Sequence, residues 1–482
     1  MRRNMNVALV SLGLLLGTTG CNSFLTGDKL STDPNNPATA TIQTLLVGIQ
    51  GGQFAFQEGT VPTMVCMWMQ QCGATNGRYV EQAGRYVFGA GSNIGANGTD
   101  WATIYTGGGL IDMDTIAKLA TAAGDSLYLG IDLVWKAFTL GSATDLWGSI
   151  PYTEIRTSPT PALDSQLVLY DTVQAMLSTA IRKLTSGVTT LPTPHDLVLG
   201  GDRAKWIAVA HTLKARYFLH TVEAAANGKL GARTVANVFT DALAEATNGI
   251  SDATGASDFR AFHTGVGYPQ SNAWFTFQDN SAFGGDLESG KALVDYMNAR
   301  SDPRRADYFC QNGLGGYGGD DFNIPQSDVS AFDCEPTRFS ATFRVPFSTY
   351  QENQLILAEA NFALGNNAAA NTNLNKALAV VPLPADTVTG PTLLDSIMME
   401  KYVVMFQNIE ALSDYRRTCI PTLVPVAPNV LGLPAVPGEL FYPQTERNAN
   451  SHVPTESQEV SAGVRTQSDV KPCTGPGAQA YP

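Results

Sequence analysis

Basic residues are scarce in this chain of 482 residues: Lys and Arg number 30 against 43 Asp and Glu, a formal net charge of −13. A surface this acidic repels phosphate backbones, and no basic stripe in the sequence offsets that repulsion. Nucleic acid is therefore not an expected partner. Long apolar runs are also missing beyond the start of the chain, so no later segment is predicted to cross a membrane as a helix.

Catalytic and metal-binding motifs are equally absent. The five histidines are scattered, with no HExxH motif or tight metal-ligand spacing, and no GxSxG elbow occurs. Gly313, Gly315 and Gly318 spell GxGxxG, but they follow no convincing strand and lack a βαβ setting. Paired carboxylates for glycoside hydrolysis need no fixed spacing in sequence, and nothing favours a particular pair. We therefore expect a protein that is not an enzyme and that uses no cofactor or metal.

The first residues are typical of a secretory signal. Arg2 and Arg3 precede an apolar run from Val7 to Leu16, which is too short to span a bilayer. The sequence TTGC, ending at Cys21, resembles a lipobox, although it has Thr where Leu is usual. The alternative is an ordinary signal peptide with Cys21 as a plain thiol. We predict a lipoprotein signal peptide over residues 1–20 and lipidation of Cys21.

The segment after Cys21 is polar and contains proline, which is typical of a tether between a lipid anchor and a folded domain. We assign residues 21–38 to this tether and residues 39–482 to a single domain. Asn22 follows the cysteine in place of the Asp that favours retention at the inner membrane in many bacteria. The expected location is therefore the outer membrane.

Six of the seven cysteines remain once Cys21 is assigned to lipid. An even number in an exported chain indicates up to three disulfides, although six cysteines allow several pairings. A free buried thiol is the alternative for Cys66, which has apolar neighbours. Proximity in sequence favours the pairs Cys66–Cys72, Cys310–Cys334 and Cys419–Cys473.

Helical periodicity dominates the domain. Apolar residues at helical spacing predict several helices, and Asp202 is positioned to cap one of them. A stretch from about 249 to 347 interrupts this pattern; it is rich in Gly, Pro, Asp and Asn and also holds aromatic residues. The predicted helices span Thr41–Phe54, Trp101–Ala122, Ser126–Thr144, Leu167–Leu184, Asp202–Ala226 and Thr234–Ala246.

The stretch Leu364–Pro382 has the most specific pattern. Its small residues, a central Leu374 and the terminal Pro382 stand where a tetratricopeptide repeat needs them for close helix approach and for helix termination. The preceding helix, Tyr350–Leu364, supplies the first member of this helix pair. No clean second copy occurs at a fixed period, so any other repeats must be degenerate.

Five stretches, in order along the chain, resemble the SusD/RagB-like family of outer-membrane nutrient-binding lipoproteins. The resemblance includes a D-hydrophobic-aromatic-G-x-[IV]-P-Y signature, a W-x-x-x-A-x-x-L-x-x-R helix, a Y-x-E-x-x-x-x-x-A-E-A helix and a near-terminal block with Asp, two Arg and Pro. Each piece alone is weak, but their order and spacing together are specific. The stretches are Cys21–Pro37, Thr144–Glu154, Lys205–Arg216, Tyr350–Ala360 and Lys401–Pro421.

The resemblance implies a mainly α-helical fold of four tetratricopeptide-like helix pairs with a loop-rich half packed against them. It also implies a lipoprotein at the cell surface that captures oligo- or polysaccharide and passes it to a SusC-like, TonB-dependent transporter. Peptide is the alternative ligand, since relatives of this type handle both classes. A helical-repeat scaffold that binds partners without a small ligand is the alternative function.

Candidate ligand-binding residues lie in the irregular stretch. Carbohydrate recognition needs a flat aromatic face with nearby polar groups, and YPQSNAWFTFQDN over Tyr268–Asn280 offers both. We predict a site of Trp274, Phe277, Asn272 and Gln278. The alternative is a loop anchored by a buried Trp274: an exposed indole would favour binding, and a buried one would favour the scaffold.

A second candidate is Tyr317, in the glycine-rich GLGGYGGDD loop. Asp320 and Asp321 follow it and could hold calcium, although a solvated acidic turn is the favoured interpretation. The residues of the family motifs are instead expected to be structural. Trp135 and Trp206 are assigned to the core, and Asp414, Arg416 and Arg417 to a charge-paired helix end.

Overall fold

The structure is a computed structural model of the chain, and it describes residues 40–75, 77–81, 83–86, 99–189, 194–280, 284–427, 429 and 432–474. The predicted signal peptide, the lipidation site Cys21 and the tether over 21–38 lie outside the described residues. Within the described part, no helix has both the length and the apolar character that a membrane crossing requires.

The described residues form many helices and four short strands. The helices of the first half are α1 (Ile42–Glu58), α2 (Thr60–Trp68), α3 (Gly77–Glu81), α4 (Thr99–Tyr105), α5 (Leu110–Ala123), α6 (Ser126–Trp147), α7 (Gln166–Ser186), α8 (Arg203–Leu219), α9 (Val222–Ala226) and α10 (Val235–Thr247). Those of the second half are α11 (Ala273–Asp279), α12 (Lys291–Ala299), α13 (Arg305–Tyr308), α14 (Tyr350–Ala363), α15 (Asn367–Leu378), α16 (Thr392–Val404), α17 (Glu410–Thr418), α18 (Gln444–Ala449) and α19 (Glu456–Ser461).

The long helices pack in succession. Helix α1 packs against α5, α6 against α7, α8 against α10 and α14 against α15. These pairs are joined by the contacts of α5 with α6, α7 with α8 and α10 with α14. The fold is therefore mainly helical, with helix pairs stacked as in a tetratricopeptide array, and that part of the prediction is confirmed.

The pair α14–α15 shows why the repeat pattern is informative. Ala370, Leu374 and Ala377 are fully buried where the two helices meet, so small and apolar residues at helical spacing set how closely they approach. Gly365 links the helices with a φ of 79°, a conformation that glycine adopts without steric cost.

Side-chain caps fix where several helices begin. The Asp202 carboxylate accepts hydrogen bonds from the backbone N–H groups of Ala204 and Lys205, as predicted for α8. Thr234 and Asn237 form a reciprocal capping box at the start of α10. Both caps satisfy backbone donors that have no partner within the helix.

Two predicted helices are interrupted. The segment predicted as Trp101–Ala122 is two helices, because Gly107 and Gly108 have φ values of 65° and 99° and reverse the chain between α4 and α5. The segment predicted as Asp202–Ala226 divides into α8 and α9 around His220. Apolar spacing continues across both breaks, so periodicity alone did not reveal them.

The irregular half lies between α10 and α14 and contains only short elements. Strand β2 (Phe259–Arg260) pairs antiparallel with β4 (Pro346–Ser348), and β1 (Cys72–Ala74) pairs antiparallel with β3 (Leu287–Ser289). The structure contains the three predicted disulfides, Cys66–Cys72, Cys310–Cys334 and Cys419–Cys473. The Cys310–Cys334 link lies within the irregular half, Cys66–Cys72 joins α2 to β1, and Cys419–Cys473 joins the end of α17 to the C-terminal segment.

A buried aromatic cluster joins the two halves. Trp135 and Trp206, which were predicted to be core residues, are fully buried in α6 and α8. The Phe259 ring of β2 lies 4.7 Å from the Trp135 ring and 5.5 Å from the Trp206 ring, between ring centroids. Phe347 of β4 contacts the same cluster, with its ring 5.2 Å from that of Phe259. Burial of these large rings fixes the irregular half against the helices.

The family-like motifs meet in a buried charge network. The Nε atom of Arg216, in α8, lies 2.6 Å from a carboxylate oxygen of Glu352 in α14, and both side chains are buried. Arg417, in α17, pairs with Glu359 of α14. Each pair connects two motifs that lie far apart in sequence, so the motif residues determine how the helices pack.

Asp414 and Arg416 extend this network, as expected for a charge-paired helix end. The Asp414 carboxylate lies 2.7 Å from the Lys401 ammonium, and Arg416 donates to the backbone oxygen of Asp145 over 2.6 Å. We call the set the charge network; its members are Asp145, Arg216, His220, Glu352, Glu359, Lys401, Glu410, Asp414, Arg416 and Arg417.

Candidate functional site

A cavity of about 680 Å³ opens between α1 and the irregular half. We call it the aromatic cavity. One wall is the face of α1, and the other is formed by residues 262–280, which run through α11. The lining residues are Val47, Gly51, Phe54, Ala55, Glu58, Leu197, Phe262, His263, Thr264, Tyr268, Pro269, Gln270, Ser271, Ala273, Thr276, Phe277 and Asn280.

Four aromatic rings give the cavity its shape. Phe54 is buried at the base, where its ring lies 6.1 Å from that of Trp135 in the core. Phe262 and Tyr268 are 37% and 45% exposed, so both side chains reach solvent at the rim. Half-buried Phe277 completes the wall and packs edge-on against Tyr79. The cavity is therefore a concave, mainly apolar surface of the kind that small ligands use.

Hydrogen bonds and charge hold two of these rings in place. The Tyr268 hydroxyl donates to Asp279 Oδ2 over 2.8 Å, and this bond raises the pKa of the tyrosine. The Arg344 guanidinium lies 5.8 Å from the centre of the Phe262 ring. Both exposed rings are therefore positioned before any ligand arrives, which lowers the entropy cost of binding.

A buried polar pair lies in the wall of the cavity. His263 Nε2 is 2.9 Å from Glu58 Oε1, and the other Glu58 oxygen accepts a bond of 3.3 Å from the backbone N–H of Ala273. Burial raises the pKa of Glu58, and His263 opposes that effect. This pair connects α1 to the irregular half and places hydrogen-bonding groups beside the aromatic rings.

The cavity favours an uncharged ligand with one apolar face. Of the described residues that line it, none is Lys or Arg, so it lacks the cations that recognise uronate, sulfate or phosphate groups. Aromatic rings beside Gln, Thr, Ser and Asn side chains can contact both the C–H face and the hydroxyls of a sugar ring. The same chemistry suits a neutral peptide less specifically.

Trp274 does not contribute an open ring to this site. Its side chain is only 2% exposed and packs edge-on against Phe339 at 5.8 Å, so the indole anchors α11 to the core. This is the buried arrangement that the sequence argument associated with a scaffold role. The neighbouring Tyr268 and Phe277 nevertheless reach the cavity from the same segment.

Asn272 and Gln278 also have structural contacts. Asn272 is fully buried, and its side-chain oxygen caps α11 by accepting from the Trp274 N–H over 2.8 Å. Gln278 accepts from the Gly285 N–H over 3.0 Å and does not line the cavity. Of the four residues predicted in this segment, the structure therefore places only Phe277 in the cavity wall.

The second predicted site lies apart from the cavity. Tyr317 is half-buried, with the Arg305 guanidinium 5.3 Å from the centre of its ring. Asp320 packs against Gly73, and burial raises the pKa of its carboxyl group. These contacts favour a structural role for the loop.

Among the described residues, a single group of His, Cys, Asp and Glu side chains is close enough to hold a metal ion, and it consists of Asp145, His220 and Glu410. His220 Nδ1 lies 2.8 Å from Asp145, and Nε2 lies 2.9 Å from Glu410. Burial opposes protonation, but the two carboxylates raise the pKa of His220 to about 9. In this arrangement both ring nitrogens therefore donate to carboxylates in a charged imidazolium, and the three side chains form a buried ion-pair cluster.

Sequence reasoning missed half of the cavity. Phe54 ends a helix that was predicted on periodicity alone, and Glu58 lies shortly after the predicted end of that helix. Phe262 and His263 precede Tyr268–Asn280, the segment in which the site was predicted. Glu58 and His263 are 205 residues apart in sequence, so no local pattern indicates that they meet. The run of aromatic residues after Phe259 was the only available signal.

An array of helix pairs carrying a less regular half, with an open aromatic cavity where the two meet, is typical of a helical-repeat protein with a ligand-sized cavity. More particularly, the chain belongs to the SusD-like family, described as starch-binding and associating with the outer membrane, whose model matches residues 34–443. The resemblance drawn from the five sequence stretches is thereby confirmed.

Solved structures share this fold. A chitin-binding SusD homologue from Flavobacterium johnsoniae is 19% identical and has a TM-score of 0.68, with 88% of this chain and 98% of that chain covered. A SusD-like protein from Bacteroides thetaiotaomicron is 16% identical, with a TM-score of 0.70 and coverage of 89% and 97%. No curated protein matches the sequence. At these identities the likeness establishes the fold alone.

Proposed function

We propose that this protein binds an uncharged oligo- or polysaccharide in the aromatic cavity at the outer membrane and passes it to a TonB-dependent transporter, without chemistry of its own. The observation that carries the proposal is the exposed pair of rings, Phe262 and Tyr268, at the rim of a cavity of about 680 Å³. The starch-binding description of the family and the chitin-binding relative support glycan as the ligand class.

The binding experiment uses the full-length chain in detergent and isothermal calorimetry. Maltoheptaose, chitohexaose, a uronate oligosaccharide and a mixed peptide pool are titrated in parallel. We expect saturable binding of one neutral glycan and none of the uronate. Tyr268→Ala should weaken the binding by roughly tenfold, since the variant removes one stacking face.

Val168→Ala is the matched control, because Val168 is 55% exposed on α7 and does not line the cavity. It should bind as the parent does. Glycan binding that Tyr268→Ala leaves unchanged would move the site elsewhere. Peptide binding without glycan binding would assign the protein to peptide uptake, and the absence of both would favour the scaffold function.

Anchoring and transfer are tested in cells. We propose that Cys21 carries lipid after removal of residues 1–20, so Cys21→Ala should release the protein from the membrane fraction and abolish labelling by a palmitate analogue. The transporter is expected to co-purify with the lipidated protein. Persistence of the Cys21→Ala variant in the outer membrane would contradict the lipid anchor.

A further inference from the structure

A second cavity, of about 520 Å³, lies on a different part of the molecule, and we call it the C-terminal cavity. It is formed by the chain that follows α6 and by residues near α19. Most of the residues that line it carry a polar side chain, beside a few apolar ones. The lining residues used below are Glu439, Tyr442, His452, Glu459 and Arg465.

Most charges around this cavity are already paired. Arg447 pairs with Glu459, whose other oxygen accepts from the Tyr442 N–H over 3.1 Å. Arg465 lies 2.6 Å from Asp469. Both carboxylates therefore have a cationic partner from the protein itself.

Glu439 is different. Its side chain lines the cavity, the residue is only 8% exposed, and it has no hydrogen-bond or ion-pair partner among the described residues. One of its oxygens would lie 3.1 Å from a Cβ atom built on Gly148, whose φ is 70°. Gly148 thus leaves room for the carboxyl group. Because the carboxyl group of Glu439 faces the cavity and not another side chain, it is open to a partner from outside the chain.

The charged groups around Glu439 set the protonation state of its carboxyl group. Burial raises the pKa of Glu439 to about 8, the carboxylates of Glu459 and Asp469 act in the same direction, and Arg416 and Arg465 oppose them. Tyr442 and His452 face the same space. Without a cation beside it, Glu439 is therefore mainly the neutral acid near neutral pH, and a bound cation would displace its proton.

We propose that the C-terminal cavity binds a protonated primary amine, with Glu439 as its counter-ion. An amine fits better than a divalent metal, because Glu459 is already saturated and one free carboxylate supplies too few oxygen ligands. The Ser149, Gln458 and Thr466 side chains add hydrogen-bonding groups for the rest of the ligand. Amino sugars and lysine side chains both carry the required group.

The probes are two matched pairs of compounds that differ in one positive charge. Glucosamine is compared with N-acetylglucosamine, and Nα-acetyl-lysine amide with its Nε-acetylated form, by calorimetry on the full-length chain in detergent. We expect binding of the amines and not of their acetylated forms. The relative affinity of the two amines indicates whether an amino sugar or a peptide is the source.

Proton release gives a test without any mutation. At pH 6 each amine bound should release about one proton, seen as a difference between buffers of unequal ionisation enthalpy. The affinity of the lysine amide should rise about tenfold per pH unit from pH 6 toward 7.5, because the proton on Glu439 competes with the amine. Binding without proton release would overturn the proposal.

Glu439→Gln keeps the side-chain shape and removes the charge. It should weaken amine binding by about 30-fold or more and abolish proton release. Glu456→Gln is the matched control, because Glu456 begins α19, beside the cavity, but does not line it. Equal loss in both variants, equal binding of acetylated and free amines, or no amine binding at all would each contradict the proposal. Glycan binding in the aromatic cavity uses other residues and would be unaffected.

Discussion

The charge network and the aromatic cavity are built from different kinds of residue. The network joins α6, α8, α14, α16 and α17 through buried ion pairs such as Arg216–Glu352, and all of its members except His220 come from the stretches that resemble the family. The cavity lies where α1 meets residues 262–280, outside those stretches. The residues by which the family is recognised therefore stabilise the fold, whereas the residues of the proposed ligand site lie outside the motifs.

This division has an energetic basis. Removing one member of a buried pair leaves an uncompensated charge, so the network tolerates little change. Rings at the rim of a cavity remain partly solvated, and replacing Tyr268 or Phe262 leaves no buried charge behind. Substitutions in the two regions should accordingly affect different measurements, stability in one and affinity in the other.

The largest effect is expected for Arg216→Ala. The variant leaves Glu352 buried without its cation, so the free energy of unfolding should fall by about 3–5 kcal/mol in urea titrations. Lys291→Ala is the control, since its pair with Asp295 is exposed and should contribute less than about 1 kcal/mol. Equal losses in the two variants would remove the distinction between buried and exposed pairs.

Trp274→Ala and Tyr268→Ala compare a buried structural ring with an exposed ring of the cavity, within one segment of the chain. Trp274 is buried against Phe339, so its removal should destabilise the fold by about 3–4 kcal/mol through the cavity it creates. Tyr268→Ala should change the stability by less than about 1 kcal/mol and instead reduce glycan affinity. Thermal unfolding and calorimetry on the same samples separate the effects. A Trp274→Ala variant that stays stable but loses glycan binding would show that Trp274 belongs to the ligand site after all.

Much of the fold could be predicted from sequence because its signals are local. Helical spacing, the Asp202 cap and the small residues of α15 each act within a few turns, and the structure contains all three. The break at Gly107–Gly108 was missed because apolar residues continue at helical spacing on both sides. Each disulfide joins a cysteine to the next one along the chain, so pairing neighbouring cysteines was enough to predict all three.

The site could be predicted only in part, because it depends on contacts between distant segments. The aromatic stretch predicted from sequence includes residues that line the cavity, but sequence does not indicate which ring of that stretch turns inward. The capping bond of Asn272 starts α11 so that Trp274 packs on Phe339, and this leaves Phe277 in the cavity wall. The part of the cavity wall that α1 forms could not be predicted, because it depends on the contact of Glu58 with His263, which lie far apart in sequence.

The charge network also predicts a dependence of stability on pH. Because the pKa of His220 is about 9 in the folded protein and 6.5 ordinarily, its contribution is complete below pH 6.5 and is lost as the pH rises through 9. The contribution should be about 3 kcal/mol. His220→Gln should therefore be less stable than the parent at pH 6, with the difference shrinking by pH 9.5. A difference that stays constant over this range would contradict a charged imidazolium.

The smallest effect is expected for Asn272, which was predicted from sequence to bind ligand and which caps α11 in the structure. Its side chain caps α11, so Asn272→Ala should cost about 1 kcal/mol of stability in chemical denaturation. Asn272→Asp keeps the acceptor and should restore most of that loss, because a carboxylate also caps a helix. Since Asn272 is fully buried, glycan affinity should change less in Asn272→Ala than in Tyr268→Ala. A larger loss of affinity in Asn272→Ala, without loss of stability, would instead mean that the amide contacts the ligand. The start of α11 would then contain ligand-binding as well as structural residues.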